Sequence, residues 1–317
     1  MDSKLKILVI NSLSERQIAM IESVDPCIEV STCEWGEISH HIAGADVLVP
    51  WGWMDISPYF ASASRLRWIQ TLSAGVEKII FPALINSDVL LTSARGIHGI
   101  PVSEHVLAML LSFTRGLHLN LRSQVYKKWQ RFPSDEAHEK TVGIIGLGSV
   151  GRIIAKKCKA LNMRVIAVKQ HMSEELFVDL LLGPEELDHL LSSSDYVVLS
   201  VPLTPATYHL INAERLQKMK QDAFLINISR GQVIDEKALM DALRAGQIAG
   251  AGLDVFDTEP LPADHPLWNF DNVIITPHCA ALSPYYLDRA VALIADNVAR
   301  YLRGREMLNV INKQKGY

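Results

Sequence analysis

The chain has no excess of positive charge, few cysteines and no long apolar run, and each absence removes a class of function. Its 317 residues carry 31 basic against 35 acidic side chains, a net charge of −4. Bulk electrostatics therefore offers nothing to nucleic acid or to an anionic membrane. The apolar run at 106–111 is far shorter than the roughly 20 residues that span a bilayer. Residues 1–4 lead straight into a strand-like run and lack the charged, apolar and small-residue zones of a signal peptide. A cytoplasmic protein with neither membrane nor nucleic-acid partners is expected. The four cysteines, Cys27, Cys33, Cys158 and Cys279, show no metal-ligand spacing, so no metal site is expected. Cys27 and Cys33 flank a strand-like run and could in principle meet, but reduced thiols are the better expectation in the cytosol.

What is present in quantity is apolar: 49% of residues are hydrophobic and 21% charged, enough to fill two ordinary domains. Short runs of unbroken apolar residues predict strands at 6–11, 28–32, 47–50, 68–72 and 89–92. A second series follows at 142–145, 164–168, 196–200, 223–228, 250–255 and 273–276. Unbroken rather than alternating runs indicate parallel strands buried on both faces. Helices are expected between them, including 213–219 and 236–245, the latter capped by Asp235 and closed by Gly246. A long helix at 102–115, continuing into a polar arm to about residue 140, separates the series, and another spans 284–303. The fold class expected is α/β, two Rossmann-like or flavodoxin-like domains with parallel sheets. A small-molecule site is expected in the cleft between them.

The most specific local pattern is 141–151, Thr-Val-Gly-Ile-Ile-Gly-Leu-Gly-Ser-Val-Gly. An apolar strand runs into G-x-G-x-x-G and a helical stretch, 152–161, follows. Gly146 suits the tight turn, Gly148 lets backbone approach a pyrophosphate, and Gly151 permits close helix packing. The helix N-terminus would face the phosphate charge.

Three polar residues each stand just past an apolar strand of the second series, where open parallel sheets carry functional groups. Arg230 offers a fixed fork of donors for a carboxylate, or else a structural ion pair. Glu259 sits in a loop with Asp254 and Asp257 that could simply be solvated. His278 can exchange a proton near neutrality, although a lone histidine after a strand is more often structural. Together with a dinucleotide loop they match what hydride transfer to a 2-oxo acid requires: a carboxylate anchor and a carboxylate-supported general acid.

These residues, with Pro101–Ala108, Val201-Pro202-Leu203-Thr204-Pro205, 227–231, 252–260 and 276–280, make the chain resemble the D-isomer-specific 2-hydroxyacid dehydrogenases. That family includes glyoxylate/hydroxypyruvate reductases and phosphoglycerate dehydrogenases. The resemblance covers nearly the whole chain. It implies that Arg230 binds the substrate carboxylate and carbonyl, that His278 donates the proton, and that Glu259 hydrogen-bonds His278 and keeps it protonated. It places substrate also on Ser73, Ala74 and Gly75. It places the cofactor on Gly146, Leu147, Gly148, Ser149, Val150, Gly151, Val201, Pro202, Thr207, Ile228, Ser229, Asp254 and His278, with Asp254 on the nicotinamide carboxamide. It implies a substrate-binding domain at 1–95 plus 285–317 and an inserted dinucleotide domain at 96–284. It also implies a homodimer built by the helix and arm at 102–140, from which Trp129 is a candidate to reach the partner's site. Trp51 lines the substrate pocket or is a core aromatic. His98 and His105 are read as structural.

One departure bears on the cofactor. Lys169 stands at the end of the second strand of this series, where the family often has aspartate. A carboxylate repels an adenosine 2′-phosphate and an ammonium attracts it. Gln170, His171 and Ser173 could add donors and Arg152 could bind phosphate, so NADP(H) is favoured and NAD(H) stays possible. The expected activity is reduction of a small 2-oxo acid. Two alternatives remain: oxidation of another small anion such as phosphite, and a dinucleotide-sensing, corepressor-like protein. Formate is disfavoured because formate dehydrogenases place glutamine where Glu259 stands.

Overall fold

A computed structural model describes residues 4–76 and 78–314; the outermost residues of the expected N- and C-terminal segments lie outside them. The chain divides into two compact units, Met1–Ile97 with Ser283–Tyr317, and His98–Leu282.

The first unit holds five parallel strands, β1 (Leu5–Val9), β2 (Ile28–Thr32), β3 (Val47–Val49), β4 (Trp68–Gln70) and β5 (Leu90–Thr92), in the order β2-β1-β3-β4-β5. Side chains alternate across the pleat, so the two faces bury different residues. Leu8, Ile10, Leu48 and Ile69 fill one core. Ile7, Val9, Val47 and Trp68 fill the other, against Ala290, Val291, Ile294 and Val298 of the helix Tyr286–Leu302. That helical spacing is one apolar stripe. Buried polar groups on this face are paired: Trp68 donates to Thr92 Oγ1 at 2.7 Å and Asn297 to Gln70 Oε1 at 2.8 Å.

The second unit holds seven parallel strands, β6 (Thr141–Ile145), β7 (Arg164–Val168), β8 (Leu180–Leu182), β9 (Tyr196–Leu199), β10 (Phe224–Asn227), β11 (Gly250–Leu253) and β12 (Val273–Ile275). Their order is β12-β11-β10-β9-β6-β7-β8. One face buries Ile145, Ile166, Val197, Leu199 and Leu225. The other buries Val142, Ile144, Val198 and Ile226 against Val106, Met109, Leu110 and Phe113 of the helix Gly99–Thr114. Strand order reverses between β6 and β9, and the chain leaving β6 is the glycine loop. This is the point at which open parallel sheets bind nucleotides.

Three local differences from the sequence reading have simple causes. The edge strand β8 was not expected, because three leucines are too short a run to show a period. The polar arm contains a second helix, Leu117–Val125, fixed by the Arg122 guanidinium, which donates to Asp271 and to the carbonyls of Phe270 and Val273. The helix after the glycine loop begins at Ser149 rather than at Arg152, because the loop residues themselves form its first turn. Asp235 caps the helix Glu236–Arg244 by accepting from Ala238 N–H, and Gly246 follows in the left-handed region.

Candidate active site

At the end of β6 the backbone turns through Gly146 at φ +96°. A Cβ there would stand 2.4 Å from the Ser200 carbonyl oxygen, so conformation and space both require glycine. Gly148 is the N-cap of the helix Ser149–Ala160 and supplies no capping side chain. A Cβ on Gly148 would meet nothing within 4 Å. Among the described residues no side chain caps this 12-residue helix, and the space beside Gly148 is clear, a seat that suits a pyrophosphate. Leu147 is buried and can offer only its backbone, whereas Ser149 is exposed. After β9, Val201 and Pro202 lead into a turn closed by Thr207, whose hydroxyl donates to Pro202 O at 2.6 Å and accepts from Thr204 N at 2.8 Å. The residues present fit a dinucleotide.

Arg230 is placed from below by Asn227, the fully buried last residue of β10. The Asn227 carboxamide oxygen accepts from the N–H and hydroxyl of Ser229, at 3.0 and 2.8 Å, and its amide donates to Arg230 O at 2.9 Å. Ile228, between them, is partly buried. Arg230 in turn donates to Ser229 O at 2.8 Å. The next residue, Gly231, lies so close to the chain at Phe256 that a Cβ would be 2.0 Å from the Phe256 carbonyl carbon. Only glycine lets the segment leading to Glu259 pack against the segment carrying Arg230.

Glu259 is held at two points. Oε1 accepts from Phe256 N–H at 3.0 Å and Oε2 contacts His278 Nδ1 at 2.7 Å. A carboxylate only accepts, so Nδ1 carries the hydrogen and Nε2 is the nitrogen left for other work. The two side chains are 35% and 50% exposed respectively. His278 itself sits at φ +49°, a left-handed conformation that histidine adopts more readily than most residues. Asp254, just past β11, keeps it there. The buried Asp254 carboxylate accepts from Thr276 Oγ1 at 2.6 Å and from the N–H groups of Cys279 and Ala280 at 2.9 and 3.0 Å, while its carbonyl accepts from His278 N–H at 2.9 Å. His105 Nε2 lies 3.0 Å from Thr276 Oγ1, extending the network to the helix Gly99–Thr114. His98 is partly buried, and burial, with the Arg230 charge second, pushes its imidazole down to about 4. It is neutral at pH 7.

The end of β7 is arranged differently. Lys169 Nζ lies 2.6 Å from both Ser173 Oγ and Glu175 Oε1. Arg152, in the first turn after the glycine loop, grips the same carboxylate through Nε and Nη2 at 2.9 and 2.7 Å. The Arg152 fork, followed by Lys169 and Ser173, holds the Glu175 carboxyl down at about 2.

In the first unit, the turn Ser73–Gly75 is pinned by Ser73. Its hydroxyl accepts from Gly52 N–H at 2.8 Å and donates to Gly75 O at 3.1 Å, and its carbonyl accepts from Ala94 N–H at 3.0 Å. Ala74 at the tip is exposed. Trp51 is partly buried, donates to Asn11 Oδ1 at 3.2 Å and lies 5.4 Å from the Tyr286 ring. Trp129 is 99% exposed.

Sequence reasoning missed Asn227, Thr276 and Glu175. An asparagine ending an apolar strand two residues before a serine was a usable signal for the first. Nothing local marks Glu175 off from its neighbour Glu174. Asp254 was singled out, but for a cofactor contact rather than for the loop it ties together. His105, read as structural, belongs to that loop's support.

Residues 107–280 match the family model described as D-isomer specific 2-hydroxyacid dehydrogenase, NAD binding domain. A D-3-phosphoglycerate dehydrogenase of Methanocaldococcus jannaschii is 34% identical over 97% of the chain, which spans 59% of that longer protein. A glyoxylate reductase of Thermofilum pendens is 36% identical over 80% of the chain and 77% of its own length. Among solved structures, a D-isomer specific 2-hydroxyacid dehydrogenase from Xanthobacter autotrophicus, in complex with NADPH and MES, superposes with a TM-score of 0.84 at 30% identity, covering 99% of this chain and all of the other. The chain is therefore a member of the D-isomer specific 2-hydroxyacid dehydrogenase family.

Proposed function

We propose that the protein reduces a small 2-oxo acid, such as glyoxylate or hydroxypyruvate, to the D-2-hydroxy acid. The observation that carries this reading is the 2.7 Å Glu259–His278 contact, which leaves Nε2 of an oriented imidazole open on the same unit as Arg230. The bound dinucleotide supplies the hydride. The chain's residues do the rest. Arg230 binds the substrate carboxylate with its fork and polarises the neighbouring carbonyl. His278 Nε2–H donates a proton to the carbonyl oxygen as charge develops there. Glu259 fixes the ring and offsets the imidazolium charge. The N–H groups of Ser73, Ala74 and Gly75 form a second anchor for the carboxylate. In the reverse direction neutral His278 accepts the hydroxyl proton.

Residues 96–284 serve as the dinucleotide domain, and 1–95 with 285–317 as the substrate domain. Gly146, Leu147, Gly148, Ser149, Val150 and Gly151 take the pyrophosphate, and Val201, Pro202, Thr207, Ile228 and Ser229 flank the rest of the cofactor. Asp254 positions His278 through the loop it ties together and, with acceptor capacity left on Oδ2, which takes the Ala280 N–H, also contacts the nicotinamide carboxamide. NADP(H) is the preferred cofactor, on the positive charge of Lys169 and Arg152. A second copy of the chain covers the helix Leu117–Val125, whose Leu117, Leu121 and Val125 are exposed at four-residue spacing and followed by exposed Tyr126 and Trp129.

The test is oxidation of NADPH and NADH by the purified protein with glyoxylate, hydroxypyruvate, pyruvate and a branched 2-oxo acid, together with sedimentation to read the dimer. Turnover with at least one acid is expected, faster with NADPH. Tight dinucleotide binding without turnover on any acid would overturn the reductase reading and favour phosphite oxidation or dinucleotide sensing.

A further inference from the structure

The cluster at the end of β7 is more than a surface ion pair. Isolated exposed pairs contribute little and form opportunistically. Here the Glu175 side chain is 8% exposed and that of Lys169 14%. Three side chains from separate positions, Arg152, Lys169 and Ser173, converge on one carboxylate with four hydrogen bonds of 2.6–3.1 Å. Two of those residues flank the phosphate-binding elements: Arg152 follows Gly151 directly, and Lys169 follows β7. In a Rossmann sheet this is where the adenosine ribose is read.

A carboxylate and a phosphate monoester are both multi-acceptor anions, and the phosphate carries the larger charge at neutral pH. Two such anions cannot share one pair of cations, because their repulsion cancels what the cations supply. We propose that Glu175 sets how strongly this chain prefers the phosphorylated dinucleotide: its carboxylate holds the anion seat formed by Arg152, Lys169 and Ser173, and an adenosine 2′-phosphate must displace it to bind. A dinucleotide without that phosphate leaves the cluster intact. Lys169 and Arg152 therefore confer less NADP(H) preference than two free cations would. This inference rests on the cofactor reading above, in which Lys169 and Arg152 face the adenosine end.

The experiment reads binding directly, without turnover. Adenosine 2′,5′-bisphosphate and 5′-AMP are titrated calorimetrically into the wild-type protein, Glu175→Gln, Glu175→Ala and Lys169→Ala. Removing one fixed negative charge beside the seat is expected to tighten the bisphosphate by about tenfold in both Glu175 variants, with 5′-AMP unchanged within about twofold. If the bisphosphate binds the wild type and weakens in Lys169→Ala, but the Glu175 variants bind it no better, the inference is overturned and Glu175 is a strut of the loop. Loss of 5′-AMP binding in the Glu175 variants would overturn it in the same way. If no variant distinguishes the bisphosphate from 5′-AMP, the cofactor reading itself has failed.

Discussion

Two glutamates of the second unit, each beside a cationic or protonatable partner at a strand end, are built to opposite purposes. Glu259 meets one imidazole, spends its other oxygen on a backbone N–H, and leaves the far nitrogen of His278 open in a half-exposed setting. Glu175 meets two permanent cations and a hydroxyl, and is nearly closed off from solvent. The first pairing orients a group for work elsewhere; the second gathers its partners onto one carboxylate. Contact distance does not separate them, since the His278 and Lys169 contacts are 2.7 and 2.6 Å. The difference lies in whether a functional atom is left over.

The sharpest way to break the comparison is at the open end. His278→Asn removes the proton donor while keeping a residue that tolerates the left-handed backbone. Turnover is expected to fall by about 10²- to 10⁴-fold, with dinucleotide binding retained by titration. Retained turnover would mean that the open nitrogen is idle. Below it, Asp254→Ala strands the N–H groups of Cys279 and Ala280 and leaves the Thr276 hydroxyl to His105 Nε2. Unfolding free energy should drop by about 2–4 kcal/mol, seen as a melting temperature lower by roughly 5 °C or more. A melting curve unchanged by the substitution would deny the carboxylate its holding role.

Beside Arg230, His98 gives a pH dependence of definite sign. Its folded value, about 4, lies below the 6.5 of an unperturbed imidazole, so the fold favours the neutral ring. Its contribution to stability is full above pH 6.5 and is lost as pH falls toward 4, by at most about 3 kcal/mol. Denaturant titrations across that window should show the loss, and His98→Asn should flatten it. An equally steep dependence in the variant would place the titrating group elsewhere. The smallest effect is at the closed end. Lys169→Ala should weaken NADPH binding by about tenfold and NADH by less than about twofold. Equal weakening of both would remove the 2′-phosphate from the argument.

Most strands could be read from the chain alone. Eleven of the twelve described strands coincide with apolar or near-apolar runs, and burial on both faces makes such runs continuous. The strand β8 escaped because its three leucines follow a stretch of loop without period. The second arm helix escaped because exposed Leu117, Leu121 and Val125 alternate with polar residues and no buried stripe announces them. Arg230 and His278 were visible because each stands three residues past a strand, whereas Glu259, six residues past β11 in an acidic loop, was legible only in combination with them and through the family resemblance. Their supports were not. Asn227 reads as one more strand residue until its side chain is seen bridging Ser229 and Arg230.

What the sequence determined by itself is therefore local: two series of parallel strands, a glycine loop at a strand–helix junction, and three polar residues at strand ends. These follow from periodicity and from the stereochemistry of a few neighbouring residues. The tertiary structure decided what each polar group spends its hydrogen bonds on. Asp254 serves groups 22 to 26 residues further along the chain, and Glu175 joins Arg152 from 23 residues behind it to Lys169 nearby. Charge and donor pairing act over a few ångströms in space whatever the separation along the chain, so which partner wins is settled only when the strands have set the loops side by side.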